Sequence, residues 1–184
     1  MVLKRVALTG ASGLVGRHLL RALEARGIAG ATVSRSNPAF LPSGSTWMQW
    51  DLREWKNSDE LDQLFGKVDA IFHVGALVPA SGLVTTDRDF FDANVRASFC
   101  LGEWASSRGI PLIYLSGAIV YADIERRDIK EDDKKISGIG FGGFYGTSKW
   151  FGEQILNALV SDNLKLCILR ASSIYGSGLA PGKM

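Results

Sequence analysis

The stretch Thr9-Gly10-Ala11-Ser12-Gly13-Leu14-Val15-Gly16 decides the fold of this chain, because it repeats glycine at every third residue between two apolar patterns. The run Val6-Ala7-Leu8 before it is typical of a strand buried on both faces of a parallel sheet. After it, apolar residues recur at helical spacing as far as Gly27. A strand, a glycine turn and a helix N-terminus gather backbone N–H groups at the positive end of a helix dipole, so the sequence predicts an anion-binding turn.

The three glycines of this turn have separate predicted duties. Gly10 permits a tight turn, Gly13 lets the backbone approach a pyrophosphate, and Gly16 lets the helix pack closely on the strand. The spacing is GxxGxxG rather than the GxGxxG fingerprint, and no GxxxxGK[ST] is present, so a P-loop nucleotidase is not indicated. The alternative interpretation is a glycine-rich turn that binds no ligand.

The composition indicates one folded, soluble domain. The chain has 184 residues, of which 46% are apolar and 22% charged, and its formal net charge is +2. Lys and Arg are dispersed, which argues against a nucleic-acid partner or an anionic membrane. No apolar run approaches the roughly 18 residues of a transmembrane helix, and the N-terminus lacks the core of a signal peptide. We therefore expect a cytoplasmic protein with no membrane partner.

Cysteine and histidine are scarce. Cys100 and Cys167 lie far apart within apolar segments, which favours reduced core thiols over a disulfide, although a spatial contact is an open alternative. His18 and His73 are the only histidines, so a metal site has almost no candidates. His73 ends an apolar run, and we interpret it as a buried histidine rather than a catalytic base.

Apolar runs alternate with helical patterns along the rest of the chain. Helices are predicted over 59–65, over 87–108 and from Tyr145 onward. Further strands are predicted at 31–34, 46–50, 69–74, 110–115 and 165–169. This alternation predicts an α/β protein with a doubly wound, open parallel sheet covered on both faces, whose ligand crevice lies at the carboxyl ends of the strands.

Several residues at these predicted strand ends could touch one extended ligand. Arg35 lies 19 residues beyond Gly16, where an arginine can pair with the 2′-phosphate of NADP, whereas Asp or Glu would bind the ribose of NAD. A solvated surface arginine is the alternative. Asp51 could meet an adenine edge or cap the next turn. The residues predicted to share the ligand are Gly10, Arg35, Asp51, Gly75, Ser116 and Arg170.

Residues 122–143 differ from the rest of the chain. Charged residues occupy 125–128 and 130–135, and glycines occupy positions 138, 140, 142 and 143. We interpret the charges as a solvated face, and we predict that the glycines let this segment fold over the site as a mobile flap.

Tyr145 and Lys149 carry the predicted chemistry. They lie four residues apart at a helix start and therefore share one face. A lysine ammonium beside a phenol stabilises phenolate, which would lower the tyrosine pKa from about 10 toward neutrality. Such a tyrosine could exchange a proton with a substrate hydroxyl or carbonyl while a nicotinamide exchanges a hydride.

The chain resembles the extended short-chain dehydrogenases/reductases, specifically the NAD-dependent epimerase/dehydratase family, which acts largely on nucleotide sugars. The resemblance extends across nearly the whole chain. It is carried by the glycines of TGASGLVG (9–16), Asp51-Leu52, His73-Val74-Gly75-Ala76, Asn94-Val95, SGAIVY (116–121), YGTSKWFGE (145–153) and RASSIYG (170–176).

This resemblance implies an NAD(P)-binding Rossmann fold and assigns roles to residues. Tyr145 is the implied acid-base residue, and Lys149 lowers its pKa and holds the nicotinamide ribose. The family also implies a homodimer formed through residues 91–104 and 150–159. The implied cofactor residues are Gly10, Ser12, Gly13, Leu14, Val15, Gly16, Arg35, Asp51, Leu52, Val74, Gly75, Ala76, Asn94, Leu115, Tyr145, Lys149, Ala171 and Ile174.

The chain departs from the family pattern in two ways. A catalytic Ser or Thr is expected three residues before Val120, but that position is Gly117, so Ser116 is the candidate substitute. Family members also continue into a smaller substrate-binding region. We therefore expect a Rossmann domain over 1–170 and only the start of a truncated substrate region over 171–184.

The predicted function follows from these residues and the resemblance. It is an NAD(P)-dependent epimerase, dehydratase or reductase acting on a nucleotide sugar or a related hydroxyl or carbonyl substrate, with NADP preferred over NAD because of Arg35. The alternative is a dinucleotide-binding module with weak or no catalysis, acting as a sensor or partner subunit. Gly117 favours the module, and retention of both Tyr145 and Lys149 favours the enzyme.

Overall fold

A six-stranded parallel sheet lies at the centre of the fold. The computed structural model describes residues 2–79, 84–162 and 164–177. The strands are β1 (Arg5–Thr9), β2 (Ala29–Ser34), β3 (Thr46–Gln49), β4 (Ala70–His73), β5 (Leu112–Gly117) and β6 (Leu166–Ala171). Their order is β3-β2-β1-β4-β5-β6, which reverses between β1 and β4. This is the doubly wound Rossmann order, so the predicted fold class is confirmed.

Helices connect the strands at the predicted places. They are α1 (Leu14–Glu24), α2 (Ser58–Phe65), α3 (Asp87–Phe91), α4 (Ala97–Ser107) and α5 (Gly143–Ala158). The prediction of a single α-helix over 87–108 is wrong in one respect, because a π turn at Asp92–Arg96 joins α3 to α4. Short 3-10 turns follow β5 at Ala118–Val120 and α5 at Leu159–Asp162. No helix of the described residues is long and apolar enough to cross a membrane.

The core lies mainly on one face of the sheet. Ala7 of β1 faces a cluster that includes Phe65 of α2, Trp104 of α4 and Leu156 of α5. Adjacent strand residues point to opposite faces, so Leu8 packs on the other side with Leu20 of α1. The glycine turn between β1 and α1 is thus held from both faces of the sheet.

The second face is covered less completely over β6. Cys100 of α4 is buried as predicted, but the prediction that Cys167 is a core thiol is wrong, because Cys167 is exposed. Leu169, two residues further along the strand, is 51% exposed. Both side chains point away from the face that carries the main core. Cys100 and Cys167 are free thiols.

His73 lies in a buried hydrogen-bonded chain between β1 and α4. The backbone N–H of Gly75 donates to Thr9 Oγ1 at 3.0 Å, and Thr9 Oγ1 lies 2.7 Å from His73 Nδ1. His73 Nε2 lies 3.1 Å from Ser98 Oγ, which donates to the carbonyl of Asn94. These partners favour a neutral ring that accepts at Nδ1 and donates at Nε2. His73 is 1% exposed, so it is the buried strand-end histidine predicted from the sequence.

The burial of His73 should make the fold sensitive to acid. Burial lowers the pKa of His73 from 6.5 to about 3, so between these values the unfolded chain binds a proton that the folded chain does not. Stability is therefore complete above about pH 6.5 and should fall by about 1.4 kcal/mol per pH unit as the pH drops toward 3. Urea unfolding of the wild type and His73→Gln at several pH values measures this. Identical pH dependence in the two proteins would contradict it.

The segment between the 3-10 turn after β5 and α5 is anchored at both ends. Ala122 N donates to Lys134 O and Ile136 N donates to Val120 O, both at 2.9 Å, and Thr147 Oγ1 donates to Gly138 O at 3.0 Å. A Cβ added to Gly140 would lie 2.5 Å from Ile136 Cγ2. This glycine therefore serves close packing, while the motion of a flap stays a prediction.

Candidate functional site

The glycine turn is closed by backbone contacts that admit no side chain. Gly10 has a φ of 73°, and a Cβ there would lie 2.6 Å from Gly75 Cα. A Cβ on Gly16 would lie 2.1 Å from the carbonyl oxygen of Gly10. Gly16 therefore seats α1 directly on the turn. Gly13 is the exposed N-cap of α1, and among the described residues no side chain caps it and no acidic residue lies in the first turn. The positive helix end therefore faces an anion-binding volume.

A cleft of about 730 Å³ begins at this turn and follows the carboxyl edge of the sheet. It brings together every residue predicted to touch a ligand except Asn94 and Arg170. Those residues are Gly10, Ser12, Gly13, Leu14, Val15, Gly16, Arg35, Asp51, Leu52, Val74, Gly75, Ala76, Leu115, Ser116, Tyr145, Lys149, Ala171 and Ile174.

One end of the cleft carries charge. Asp51 is paired with Arg53 through an Nη2–Oδ2 distance of 2.8 Å, and the Arg53 guanidinium holds the pKa of this carboxyl below its ordinary value. Arg35 is exposed and lowers the same pKa further through its charge. In the described part of the chain, the Arg35 guanidinium makes no hydrogen bond. It is therefore available to a ligand phosphate.

The opposite end of the cleft carries Tyr145 and Lys149. Lys149 is 3% exposed, its Nζ donates to the carbonyl of Leu115 at 2.8 Å, and Nζ lies 4.1 Å from the centre of the Tyr114 ring. Burial lowers the pKa of Lys149 to about 7. The negative charge of the nearby Glu153 carboxylate acts in the opposite direction and raises this pKa. The ring of Tyr145 packs against Phe90 with centroids 6.0 Å apart.

The predicted effect of Lys149 on Tyr145 is not seen. Burial raises the pKa of Tyr145 above its ordinary value of 10, whereas the sequence predicted a value near neutrality. The reason is geometric, because the Lys149 ammonium contacts the Leu115 carbonyl and the Tyr114 ring. Burial therefore favours the neutral phenol of Tyr145 over phenolate.

Ser116 and Gly117 lie side by side in the cleft wall. Ser116 is 5% exposed, and its buried Oγ has no hydrogen-bond partner among the described residues. A buried hydroxyl without a partner is unusual and could donate to a ligand. A Cβ on Gly117 would meet Ala171 O at 3.6 Å and Ile119 Cγ2 at 3.7 Å, which are ordinary contacts. A side chain at position 117 would therefore fit.

Asn94 lies behind the cleft and not in its lining, so its contact with a cofactor stays a prediction. Its Oδ1 accepts from Leu77 N at 2.8 Å, and its Nδ2 donates to Leu77 O and to Ser148 Oγ, both at 2.9 Å. The side chain is directed inward from the π turn and is 1% exposed. Asn94 thus ties the loop after β4 to α5.

Arg170 also differs from its prediction. The sequence placed it among the residues that one ligand could touch, but it does not line the cleft. Its Nη2 lies 2.8 Å from Oε2 of Glu153, whose side chain is fully buried, and its Nη1 donates to Glu131 O at 2.9 Å. Arg170 therefore joins β6, α5 and the 122–142 segment.

Sequence reasoning missed several lining residues. The loop continuing from Ala76 follows the predicted site directly, so its direction could have been anticipated. Ala93 and Ser172 adjoin the predicted residues Asn94 and Ala171, and this position is the signal that could have found them. The missed residues are Arg17, Val33, Ser34, Trp50, Leu77, Val78, Pro79, Ala93 and Ser172. Within the described ranges, no three His, Cys, Asp or Glu side chains are grouped so that they could hold a metal ion.

The site can be compared with known proteins. Residues 6–184 match the model of the NAD dependent epimerase/dehydratase family. The protein YbjS of Escherichia coli K12, which is described as uncharacterised, is 31% identical over 179 residues, covering 94% of this chain and 51% of its own length. The ADP-L-glycero-D-manno-heptose-6-epimerase of Pseudomonas aeruginosa UCBPP-PA14 is 29% identical over 182 residues, covering 93% and 51%.

A solved structure has the same fold. MoeE5 in complex with UDP-glucuronic acid and NAD superposes with a TM-score of 0.78 at 26% identity, covering 97% of this chain and 57% of MoeE5. The chain thus spans about half the length of these relatives. The predicted substrate region over 171–184 is described only as far as Ser177, and residues 178–184 lie outside the described residues.

Proposed function

Since the chain belongs to the NAD dependent epimerase/dehydratase family, we propose that it binds a nicotinamide dinucleotide in the cleft and moves a proton with Tyr145. The observation that carries this proposal is the single cleft that joins the glycine turn, Arg35 and Asp51 to Tyr145 and Lys149. Along the cleft, the anion-binding turn lies between a charged end and an acid-base end. An extended ligand with phosphates near its middle matches this order.

The residues of the chain would divide the work of binding and proton transfer. The N-terminus of α1 would hold the pyrophosphate, and Asp51 with Leu52 would meet the adenine. Lys149 and the loop from Val74 would hold the nicotinamide end. When bound, the nicotinamide supplies a site that exchanges a hydride with a substrate carbon. Residues 1–170 would thereby form the dinucleotide-binding domain of this protein.

Tyr145 is suited to act as an acid. Its raised pKa keeps the phenol protonated at neutral pH, so its Oη can donate a proton to a substrate carbonyl oxygen. In the reverse direction Tyr145 must take a hydroxyl proton, which requires a nearby cation to stabilise phenolate. Lys149 is four residues away on the same helix and would supply that charge. The unpartnered Ser116 hydroxyl would donate to the same substrate oxygen.

A nucleotide sugar is the proposed substrate. The support comes from the relatives, because the Pseudomonas protein carries the name of a sugar-nucleotide epimerase and MoeE5 was solved with a UDP sugar and NAD. Epimerisation, dehydration and reduction share the same proton and hydride exchange. Residues 171–184 would begin the region that grips this substrate.

A second candidate function is a dinucleotide-binding module with little catalysis. The specific observation in its favour is Gly117, which leaves no hydroxyl where the family pattern expects one. Such a module would act as a sensor or partner subunit. The homodimer through residues 91–104 and 150–159 also stays a prediction, as does the cytoplasmic location. Phe91 and Phe151 in these ranges are 44% and 43% exposed.

Calorimetric titration tests the proposed function. The chain would be titrated with NADH and NADPH, alongside Gly13→Asp and Tyr145→Phe, and then incubated with UDP-glucose and the tighter-binding dinucleotide. Saturable binding that Gly13→Asp abolishes and Tyr145→Phe retains is the expected result. Conversion of UDP-glucose, followed by chromatography, supports the enzyme, and binding without conversion of sugar nucleotides supports the module. A folded chain that binds neither dinucleotide contradicts both functions.

Arg35 should favour NADPH over NADH. A charge-assisted pair with the 2′-phosphate contributes about 1.5–3 kcal/mol, so Arg35→Asp should weaken NADPH binding by about tenfold or more. The affinity for NADH should change by less than about threefold, since NADH lacks that phosphate. Titration of both dinucleotides measures this, with Arg26→Asp as a control for charge outside the cleft. Equal losses for NADH and NADPH would remove the assignment.

Gly117→Ser should raise turnover if the chain is an enzyme. The added Cβ meets ordinary contacts, and its hydroxyl would supply a hydrogen bond to the reacting substrate oxygen. We expect kcat with UDP-glucose to rise by about tenfold, which corresponds to one modest hydrogen bond in the transition state. The dinucleotide Kd should stay unchanged. Gly117→Ala is the matched variant without the hydroxyl, and equal kcat values for the two variants would contradict the prediction.

A further inference from the structure

Ile119 is surrounded by glycines. It lies in the 3-10 turn Ala118–Val120 that directly follows β5. A Cβ on Gly142 would lie 2.5 Å from Ile119 Cγ1 and 2.8 Å from Cδ1. A Cβ on Gly146 would lie 3.2 Å from Ile119 Cγ1, and one on Gly117 would lie 3.7 Å from Ile119 Cγ2. The branched side chain therefore fills space that two of these glycines must leave open.

These glycines belong to the two walls of the acid-base end. Gly117 is part of the cleft wall at the end of β5. Gly142 is the N-cap of α5, and Gly146 follows Tyr145 in the first turn of that helix. Ile119 thus stands between the strand end with the Ser116 hydroxyl and the helical turn with the Tyr145 phenol.

The backbone of Ile119 is held independently of its side chain. Tyr121 N donates to Ala118 O at 3.0 Å, and Ile136 N donates to Val120 O at 2.9 Å. The hydrogen bond from Lys149 to Leu115 joins β5 to α5 one helical turn beyond Tyr145. At the turn that carries Tyr145, the continuation of β5 packs the Ile119 side chain against Gly142 and Gly146. A change in the size of this side chain should therefore move the turn rather than the strand.

We propose that Ile119 is a positioning residue, whose side chain sets the distance between the end of β5 and the Tyr145 turn by packing against Gly142 and Gly146. This inference rests on the proposed function, in which Tyr145 and Ser116 act on one substrate oxygen. Two hydroxyl groups that both contact one substrate oxygen must be held at a fixed distance from each other. The reason is that proton transfer requires the donor and acceptor heavy atoms to lie within about 3 Å. Ile119 touches neither substrate nor dinucleotide in this role.

The first measurement separates catalysis from binding. Ile119→Ala removes the packing atoms, and we expect kcat with UDP-glucose to fall at least about tenfold, since misplacement of about 1 Å is enough for such losses. KM and the NADH Kd should stay within about threefold. Ile119→Val keeps both Cγ atoms and should retain most of the kcat. The control is Leu159→Ala, which removes a comparable contact with Gly102 at the opposite end of α5 from Tyr145.

The second measurement does not need turnover. The chain has four tyrosines, so NMR of protein labelled with ¹³C at tyrosine Cζ gives few signals, and the Tyr145→Phe spectrum assigns one of them. In Ile119→Ala the Tyr145 phenol should titrate closer to pH 10, because water reaches the loosened turn. Leu159→Ala should leave its titration unchanged. A role limited to general stability would move the unfolding midpoint of both variants without moving this titration.

A size exchange completes the test. Gly146→Ala should disturb the Tyr145 signal, and Ile119→Ala in the same chain should lessen that disturbance, because it removes Cγ1, which lies 3.2 Å from the added methyl group. Full retention of kcat and of the Tyr145 titration in Ile119→Ala would overturn the role of Ile119. If the wild type shows no turnover, the NMR result alone decides this role, while the proposed enzymatic function fails separately.

Discussion

Tyr145→Phe is expected to lower kcat by about 10²–10⁴ while leaving dinucleotide binding within about threefold, because general acid-base catalysis supplies an effect of that size. Phenylalanine keeps the ring that packs against Phe90 and removes only the hydroxyl. The loss should therefore fall on the chemical step. Steady-state kinetics with UDP-glucose and calorimetry with NADH measure the two quantities.

Tyr175→Phe is the matched control for this variant. Tyr175 is 85% exposed and does not line the cleft, so loss of its hydroxyl should leave kcat unchanged. Retention of full turnover by Tyr145→Phe would exclude the acid-base role. Parallel losses of kcat and NADH affinity would instead assign Tyr145 to binding.

Gly16→Ala is expected to abolish dinucleotide binding and to lower the free energy of unfolding by about 2–3 kcal/mol, as overpacking of a tight contact does. The new Cβ would lie 2.1 Å from Gly10 O and 2.9 Å from Ala11 Cα, and both are backbone atoms. Gly10 has no room to move away from the new methyl group, because it packs against Gly75. The helix must therefore move away from the turn that would hold the pyrophosphate.

The control for Gly16→Ala is Gly109→Ala. Gly109 has a φ of 63°, but a Cβ there would meet nothing within 4 Å. Its substitution should cost about 1 kcal/mol through conformational strain and leave binding intact. Calorimetry and urea unfolding of both variants distinguish the close contact from the general effect of replacing a glycine. Normal NADH binding by Gly16→Ala would contradict the assigned role of the turn.

Local sequence patterns were sufficient for the elements and for most of the cleft. The run Val6-Ala7-Leu8 and the spacing of the glycines predicted β1, the turn and α1, because these features depend on neighbours within a few residues. In a parallel sheet, successive strand ends meet at one edge. This rule placed Arg35, Asp51 and Gly75 together without knowledge of any distance.

Partners that are distant in sequence were not predictable in the same way. The Lys149 ammonium lies against the Leu115 carbonyl and the Tyr114 ring, so its effect on Tyr145 could not be read from their spacing. Asn94 faces Leu77 because a π turn shifts its direction, and helical periodicity carries no sign of that shift.

By itself, the sequence determined the fold class, the glycine turn and the helix that carries Tyr145 and Lys149, because each follows from residue type and short-range spacing. Tertiary structure alone decided the pairing of Arg170 with Glu153, the free hydroxyl of Ser116 and the packing of Ile119 on Gly146. The physical reason is that burial, pKa and contact depend on which distant segments fill the space around a side chain.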